Sequence, residues 1–525
     1  MNLVRSFSSI GILTLISRVL GFVRDMLMAR FLGAGFASDA FLIAFRLPNM
    51  FRALFAEGAF ASAFVPSFNR KVGEDGGKLD RALRFSEDAL AILLPFLILF
   101  TGLLMILAGP AVLILSGGFN HVTDAQFAFA KELARITFPY LFFISLVSLL
   151  GGILNSLHRF WVNAAAPILL NLTLIVALMF FHGPDDYGTA RAQAWGVTIS
   201  GVLQFLWLWL ACRQAGVKLK LRMPKLNDDV KQLLKLIWPA AAGAGAMQIN
   251  LVVSTMLAAR FLDSGSVSYI YYADRLNQLP LGLIGIGLGT VLLPTISRLL
   301  GSGDERGAMD FQKKGLQLAL FLALPATAAL IVGAEPIIRG LLQYGAFTAQ
   351  DSINTSWALA AFSVGCPAYI LTKVLTPGYH ARSDMKTPLK FALVSMAVNL
   401  CLNLILIWPL QHVGPPLATA LSSWVNVTLL YRTLRKRGHF EMDRDLASHI
   451  ARLALAALLM AAALYAATPL IRPYLAGNFE HRVIGLGLLV GGGAFVYAVA
   501  VFVTRAYSFA EFRAFFRRKP KAKAE

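Results

Sequence analysis

Residues 10–66 read IGILTLISRVLGFVRDMLMARFLGAGFASDAFLIAFRLPNMFRALFAEGAFASAFVP. The stretch is long and apolar enough to cross a bilayer twice, yet it carries Arg18, Arg24, Asp25, Arg30, Asp39, Arg46, Arg52 and Glu57. A single charge at a membrane midplane costs roughly 2.5 to 3.5 kcal/mol on insertion scales, so a hairpin with several needs partners, water or a ligand. These residues are therefore the candidate site.

The remainder of the chain supports a membrane reading. Of 525 residues 57% are hydrophobic and only 14% charged, where soluble domains are nearer a quarter charged; mean hydropathy is +0.65. Apolar runs of about 20 residues recur to the end without strand-like alternation, which predicts a polytopic all-α protein. Cys212, Cys366 and Cys401 are widely separated and suggest neither a disulfide framework nor a metal site. The first apolar run is too long for a signal-peptide core, so the first helix is expected to stay. A net charge of +20 is better explained by basic loops facing anionic lipid than by nucleic acid.

Fourteen spans are expected, near 8–30, 37–66, 87–115, 132–155, 162–182, 193–212, 233–261, 268–297, 315–333, 354–379, 388–409, 413–432, 448–471 and 483–504. Lys and Arg collect in alternate loops, as in Arg70 to Arg84, Arg213 to Lys235, Arg298 to Lys314, Arg382 to Lys390 and Arg432 to Arg444. That parity places both termini in the cytoplasm, with RRKPKAKAE as a solvated tail.

An internal repeat is also legible. ARFLGAGFASDAF (29–41) aligns with ARFLDSGSVSYIY (259–271) at an offset of 230, and Arg46, Pro66, Pro95, Phe119 and Pro139 find Arg275, Pro294, Pro325, Phe347 and Pro367 close to that offset. Six spans separate equivalent positions, so both halves share one orientation, the parallel-repeat plan of some transporters. The expected organisation is an N-lobe over 1–225, a C-lobe over 226–440, two added helices over 441–505 and a basic tail over 506–525, with a cavity between lobes.

The repeat lets the charges be compared within one chain. At the equivalent positions Arg18, Arg24, Asp25 and Asp39 become Gln248, Ser254, Thr255 and Tyr269, whereas Arg46 persists as Arg275 with Asp274 beside it. A scaffold role would need the charges in both halves. Arg18 and Asp25 share a helix face, Asp39 and Arg46 are likewise seven apart, and Pro48 is expected to interrupt the second helix. Guanidinium groups bind phosphate through paired charge-assisted hydrogen bonds, so the set suits an anionic, pyrophosphate-bearing headgroup, with Asp25, Asp39, Arg46, Glu57 and Asp274 in support. The competing reading is that these charges pair only among themselves. His121, His158, His182 and His380 lack ligand spacing, and Gly282, Gly285, Gly287 and Gly289 suggest a packing face or a bend. No triad or Walker motif is present, so no enzyme activity or cofactor is expected, and coupling falls to an ion gradient or the membrane potential.

The runs SRVLGFVRDMLMARFLGAG, DAFLIAFRLPNMFRALFAEGAFASAFVP, ITFPYLFFISLVSLLGGILNSLHRF and GSVSYIYYADRLNQLPLGLIGIGLGTVLLP closely resemble the MurJ (MviN) type lipid II flippases of the multidrug/oligosaccharidyl-lipid/polysaccharide exporter superfamily. The resemblance implies transfer of lipid II, a polyprenyl pyrophosphate glycolipid, from the cytoplasmic to the periplasmic leaflet of the bacterial inner membrane. It implies essential cavity charges at Arg18, Arg24, Asp39, Arg52 and Arg275, with Glu57 in AEGAF and Asp274 beside Arg275. Arg46 stands where relatives often have lysine, and Ala53 where some have a second arginine. The reading is alternating access, with Arg18, Arg24, Arg52 and Arg275 on the pyrophosphate and the added helices guiding the lipid tail. Alternatives are a flippase for another polyprenyl-linked glycan, a cation-coupled multidrug antiporter, whose cavity should be acidic or aromatic, and a scaffold for cell-wall synthesis proteins.

Overall fold

A computed structural model describes residues 3–55 and 59–507. Glu57 and the basic tail lie outside the described residues. Among those described, regular structure is helical throughout, with no strand. The first half contains α1 (Leu3–Leu32), α2 (Phe36–Phe55), α3 (Ala59–Glu74), α4 (Asp80–Ile106), α5 (Ala108–Ser116), α6 (Asp124–Thr137), α7 (Pro139–Ser156), α8 (Phe160–Phe180) and α9 (Asp186–Gln214). The second contains α10 (Asp228–Phe261), α11 (Ser266–Gly301), α12 (Glu305–Val332), α13 (Ala334–Leu342), α14 (Ala349–Ser363), α15 (Cys366–His380), α16 (Lys386–Leu410) and α17 (Gly414–Lys436). Two further helices follow, α18 (Arg444–Leu475) and α19 (Phe479–Val503). Each of the fourteen expected spans falls on one of these helices or on a consecutive pair.

The starts of many helices are written in the sequence. Asp185, Asn227, Asp304, Asp443 and Asn478 each accept a backbone N–H from the first turn of the helix they precede, and Thr123 forms a reciprocal capping box with Gln126. Prolines explain why some spans consist of two helices. Pro110 and Pro139 sit just inside α5 and α7, and Pro336 and Pro367 just inside α13 and α15. Each lacks the N–H that would continue the preceding helix and crowds its last carbonyls.

The repeat extends to the element list. The helix after each long α4 or α12 is nine residues long in both halves. The turns after α7 and α15 place a non-glycine residue at the same left-handed φ of 61°, His158 in one and Ser383 in the other. Pro48, by contrast, does not interrupt its helix: α2 runs through it to Phe55. A proline costs a helix one hydrogen bond and a local bend, which continuous packing on both sides can outweigh.

Ten helical segments among the described residues are long and apolar enough to cross a membrane, one of them running from Lys386 to Lys436 through both α16 and α17. Large apolar side chains point outward in quantity, with Leu99, Ile106, Leu283 and Phe495 at least 70% exposed. Such surface is stable against lipid and not against water. This is an all-helical multi-pass membrane protein.

The chain divides into two compact units. The first is Met1–Ser268 with Tyr344–Thr348, the second Tyr269–Gln343 with Ala349–Glu525. The first unit thus runs beyond the expected boundary at 225 and takes in α10. Specific contacts hold that helix there. Lys71 Nζ lies 2.9 Å from Asp229 Oδ1 and Arg70 donates to Gln232 at 2.9 Å. Arg260 donates to the Phe119 carbonyl at 3.2 Å. In the second unit α18 and α19 pack on α12 and α13. Arg472 pairs with Glu335 at 3.1 Å, Arg482 donates to the Gln343 carbonyl at 2.5 Å and Tyr497 to the Phe321 carbonyl at 2.9 Å.

Candidate functional site

In the first unit the charges of α1 divide by depth. Arg18 is exposed and makes no hydrogen bond or ion pair among the described residues. Arg24 and Asp25 are buried. Arg24 donates from Nε at 3.0 Å and from Nη2 at 2.6 Å to Asp25 Oδ1, and from Nη1 at 3.0 Å to Asn171 Oδ1 on α8. Asp25 therefore steadies its chain neighbour, and not Arg18 as the shared helix face suggested. A neighbouring pair can close because both side chains bend along the helix surface, whereas Arg18 lies seven residues away, two turns along the axis.

Asp39 also departs from expectation. Its carboxylate accepts the backbone N–H groups of Gly265 and Ser268 at 2.7 and 2.8 Å and the Ser268 hydroxyl at 2.6 Å. It is buried at the N-terminus of α11, where unpaired N–H groups and the helix dipole favour an anion. Its described partners are these donors and no arginine. Arg46, expected near it, instead reaches α10 and donates to Thr255 Oγ1 at 2.6 Å and the Leu251 carbonyl at 3.2 Å. Arg52 donates to Asn49 Oδ1 at 3.2 Å within α2. Glu57 falls outside the described residues.

In the second unit Arg275 sits on α11 with its guanidinium 4.9 Å from the centre of the Tyr271 ring, a cation–π contact. Asp274 accepts from Gln278 one turn on. The position equivalent to Asp39 holds Tyr269, whose hydroxyl donates to Asp351 at 2.8 Å.

Two further residues are missing from the sequence reading. Asn171 is a neutral amide inside an apolar run, and only its contact with Arg24 marks it. Lys373 was detectable as a lone cation within the tenth span; it is exposed on α15, with no hydrogen bond or ion pair among the described residues. Its methylene stem lies beside α11, 3.8 Å from where a side chain at Gly285 would begin. Gly287 and Gly289 have nothing within 4 Å of such a position.

Among the described residues no group of three or more His, Cys, Asp and Glu side chains could hold a metal ion. Polar side chains also meet between α16 and α17, where Asn403 donates to Asn399 at 3.0 Å and Asn399 to Thr419 at 3.2 Å. Outside the spans, the Arg437 guanidinium, 2.7 Å from Asp384, holds that carboxyl well below the usual range. Burial lowers His439 below its ordinary value, assisted by the charge of Arg382.

The described partners of the first unit's arginines differ: Arg24 meets a carboxylate and an amide, Arg46 a hydroxyl and a carbonyl, Arg52 an amide, and Arg18 none among the described residues. Guanidinium groups in apolar surroundings suit an anionic ligand. A sequence model of the family described as lipid II flippase MurJ matches residues 28–485. The probable lipid II flippase MurJ of Rhizobium meliloti (strain 1021) is 42% identical over 507 residues, covering 95% of this chain and 94% of that protein. Its counterpart in Haemophilus influenzae is 37% identical over 93% of this chain and 97% of its own length. A lipid II flippase MurJ solved in an inward closed conformation superposes with a TM-score of 0.77 at 25% identity, covering 97% of this chain and 99% of the other. An inward-facing multidrug resistance MATE family transporter of the MOP superfamily shares the fold, with a TM-score of 0.65 at 18% identity over 80% of this chain and 94% of its own.

Proposed function

The chain belongs to the lipid II flippase MurJ family, and from that membership we propose that it moves lipid II from the cytoplasmic to the periplasmic leaflet of the inner membrane by alternating access. The observation that carries the assignment to particular residues is Arg18, a guanidinium within the first span with no protein partner among the described residues. A charge left so in an apolar helix is stable only with water or an anionic ligand. In this reading the pyrophosphate engages Arg18, Arg52 and Arg275 directly and feels the fixed charge of Arg24. Lys373 adds a further cation from α15. The support is chemical: planar forks suit a diphosphate, and cationic drugs would not be drawn to them.

Both termini are assigned to the cytoplasm on the distribution of loop charge. The exposed apolar faces of α18 and α19 are assigned to the polyprenyl tail. No motif for nucleotide hydrolysis is present in the sequence, so coupling is assigned to an ion gradient or the membrane potential, and cell-wall synthesis proteins are the natural partners for the delivered product. The test is replacement of a resident flippase by this chain. Wild-type protein should restore lipid II exposure at the outer leaflet, and Arg18→Ala should reduce it about 10- to 100-fold, the worth of one or two charge-assisted hydrogen bonds. Normal exposure with Arg18→Ala, at normal protein levels, defeats the assignment of these residues to transport.

A further inference from the structure

Asn171 occupies an unusual position for an amide. It lies in the interior of α8, 7% exposed, amid Leu170, Leu174 and other apolar side chains. Its two ends do different things. Oδ1 accepts from Arg24 Nη1 at 3.0 Å, and Nδ2 donates to the Ser17 carbonyl at 2.9 Å. Ser17 immediately precedes Arg18 and is seven residues from Arg24, so one side chain ties the turn from which Arg18 projects to the guanidinium of Arg24. Gly21 lies beside this contact, and a side chain there would begin 3.4 Å from Asn171 Nδ2, at ordinary van der Waals distance.

We propose that Asn171 is a positioning residue for diphosphate recognition, fixing Arg24 and the Arg18 turn while adding no negative charge to that of Asp25. The inference rests on the pyrophosphate reading above. A carboxylate could hold Arg24 equally well, but with Asp25 it would make a second anion against one cation, and the field reaching a diphosphate would fall. An amide supplies the same acceptor geometry at no charge, and it alone can also donate to the Ser17 carbonyl. The matching position of the second half, Asn399 at an offset of 228, donates instead to Thr419 across the α16–α17 contact. A helix-stitching amide is thus the ordinary use of this place in the fold, and the experiment has to separate the two roles.

The full-length protein in lipid nanodiscs is titrated with undecaprenyl pyrophosphate and, separately, undecaprenyl phosphate. The ratio of the two affinities is the readout, since loss of folded protein lowers both alike. Wild type should favour the pyrophosphate. Asn171→Ala should lower the ratio about tenfold, Asn171→Asp should lower it at least as far although nearly isosteric, and Asn171→Gln should recover part of it. An unchanged ratio in folded Asn171→Ala, or a wild-type ratio in Asn171→Asp, overturns the positioning role. Arg18→Ala serves as the control on the underlying reading. If it lowers the ratio while Asn171→Ala does not, only the role of Asn171 is lost; if wild type shows no preference for the pyrophosphate, the diphosphate reading itself fails.

Discussion

Asp25 and Asp39 are both aspartates in the opening hairpin, and the fold uses them in opposite ways. Asp25 offsets a buried guanidinium, so Asp25→Ala leaves Arg24 as an uncompensated buried charge. It should cost roughly 3 to 5 kcal/mol, measured as a drop in the thermal midpoint of the purified protein. Asp39 serves backbone donors instead. Asp39→Ala orphans the N–H groups of Gly265 and Ser268, at about 1 to 3 kcal/mol for each buried donor left unsatisfied, and hydrogen exchange at those amides is the direct check. Unprotected amides at 265 and 268 in the wild type would contradict the capping role. The sequence revealed that these acids matter, because it placed them in an apolar run. It could not reveal their partners, because spacing along one helix describes a shared face and says nothing of which backbone end another helix brings to that face.

The connections respond to pH and to shape at the scale of elements. His439, between α17 and α18, is held below its ordinary pKa by burial, so the folded state prefers it neutral. The unfolded chain therefore binds its proton first, and the stability this group contributes is present above about pH 6.5 and is lost as pH falls from there toward the folded value. Asp384 is also depressed, but by Arg437; its contribution persists above about pH 4 and disappears only below that. A thermal midpoint that declines between pH 7 and 5, with the decline reduced in His439→Gln and unaltered in Asp384→Asn, is the expected pattern. Equal slopes in wild type and His439→Gln contradict it. Backbone shape matters most at Gly345, which has φ +57° and would put a side chain 2.3 Å from the Arg30 carbonyl. Gly345→Ala should destabilise by at least ~1 kcal/mol from the left-handed conformation alone, with the contact adding to it; an unchanged thermal midpoint would show that this approach is not maintained.

Helices were legible in the sequence because hydrophobic length, Asp and Asn caps and loop charge all speak locally. Prolines were legible only in part: Pro110, Pro139, Pro336 and Pro367 sit just inside helix starts, whereas Pro48 is carried inside α2 by its surroundings. The placement of α10 in the first unit was hidden, since it depends on Lys71, Arg70 and Arg260 meeting partners far away in the chain.

At the scale of the whole molecule, a duplicated helical plan carries an unduplicated set of charges. The fold is shared with a multidrug resistance transporter, and fold alone does not name a substrate; in the proposed reading the asymmetric arginines carry that part. Arg18 and Arg24 are absent from the second copy, which keeps Arg275, so the proposed reading makes separate, testable claims for Arg18 and for Arg275. The decisive measurement is the fraction of lipid II accessible from outside in cells whose only flippase is this chain. Wild-type protein should expose it normally, and Arg18→Ala and Arg275→Ala, each folded and present at wild-type levels, should leave lipid II confined to the inner leaflet. Normal exposure with both variants would contradict recognition of the pyrophosphate by these guanidinium groups.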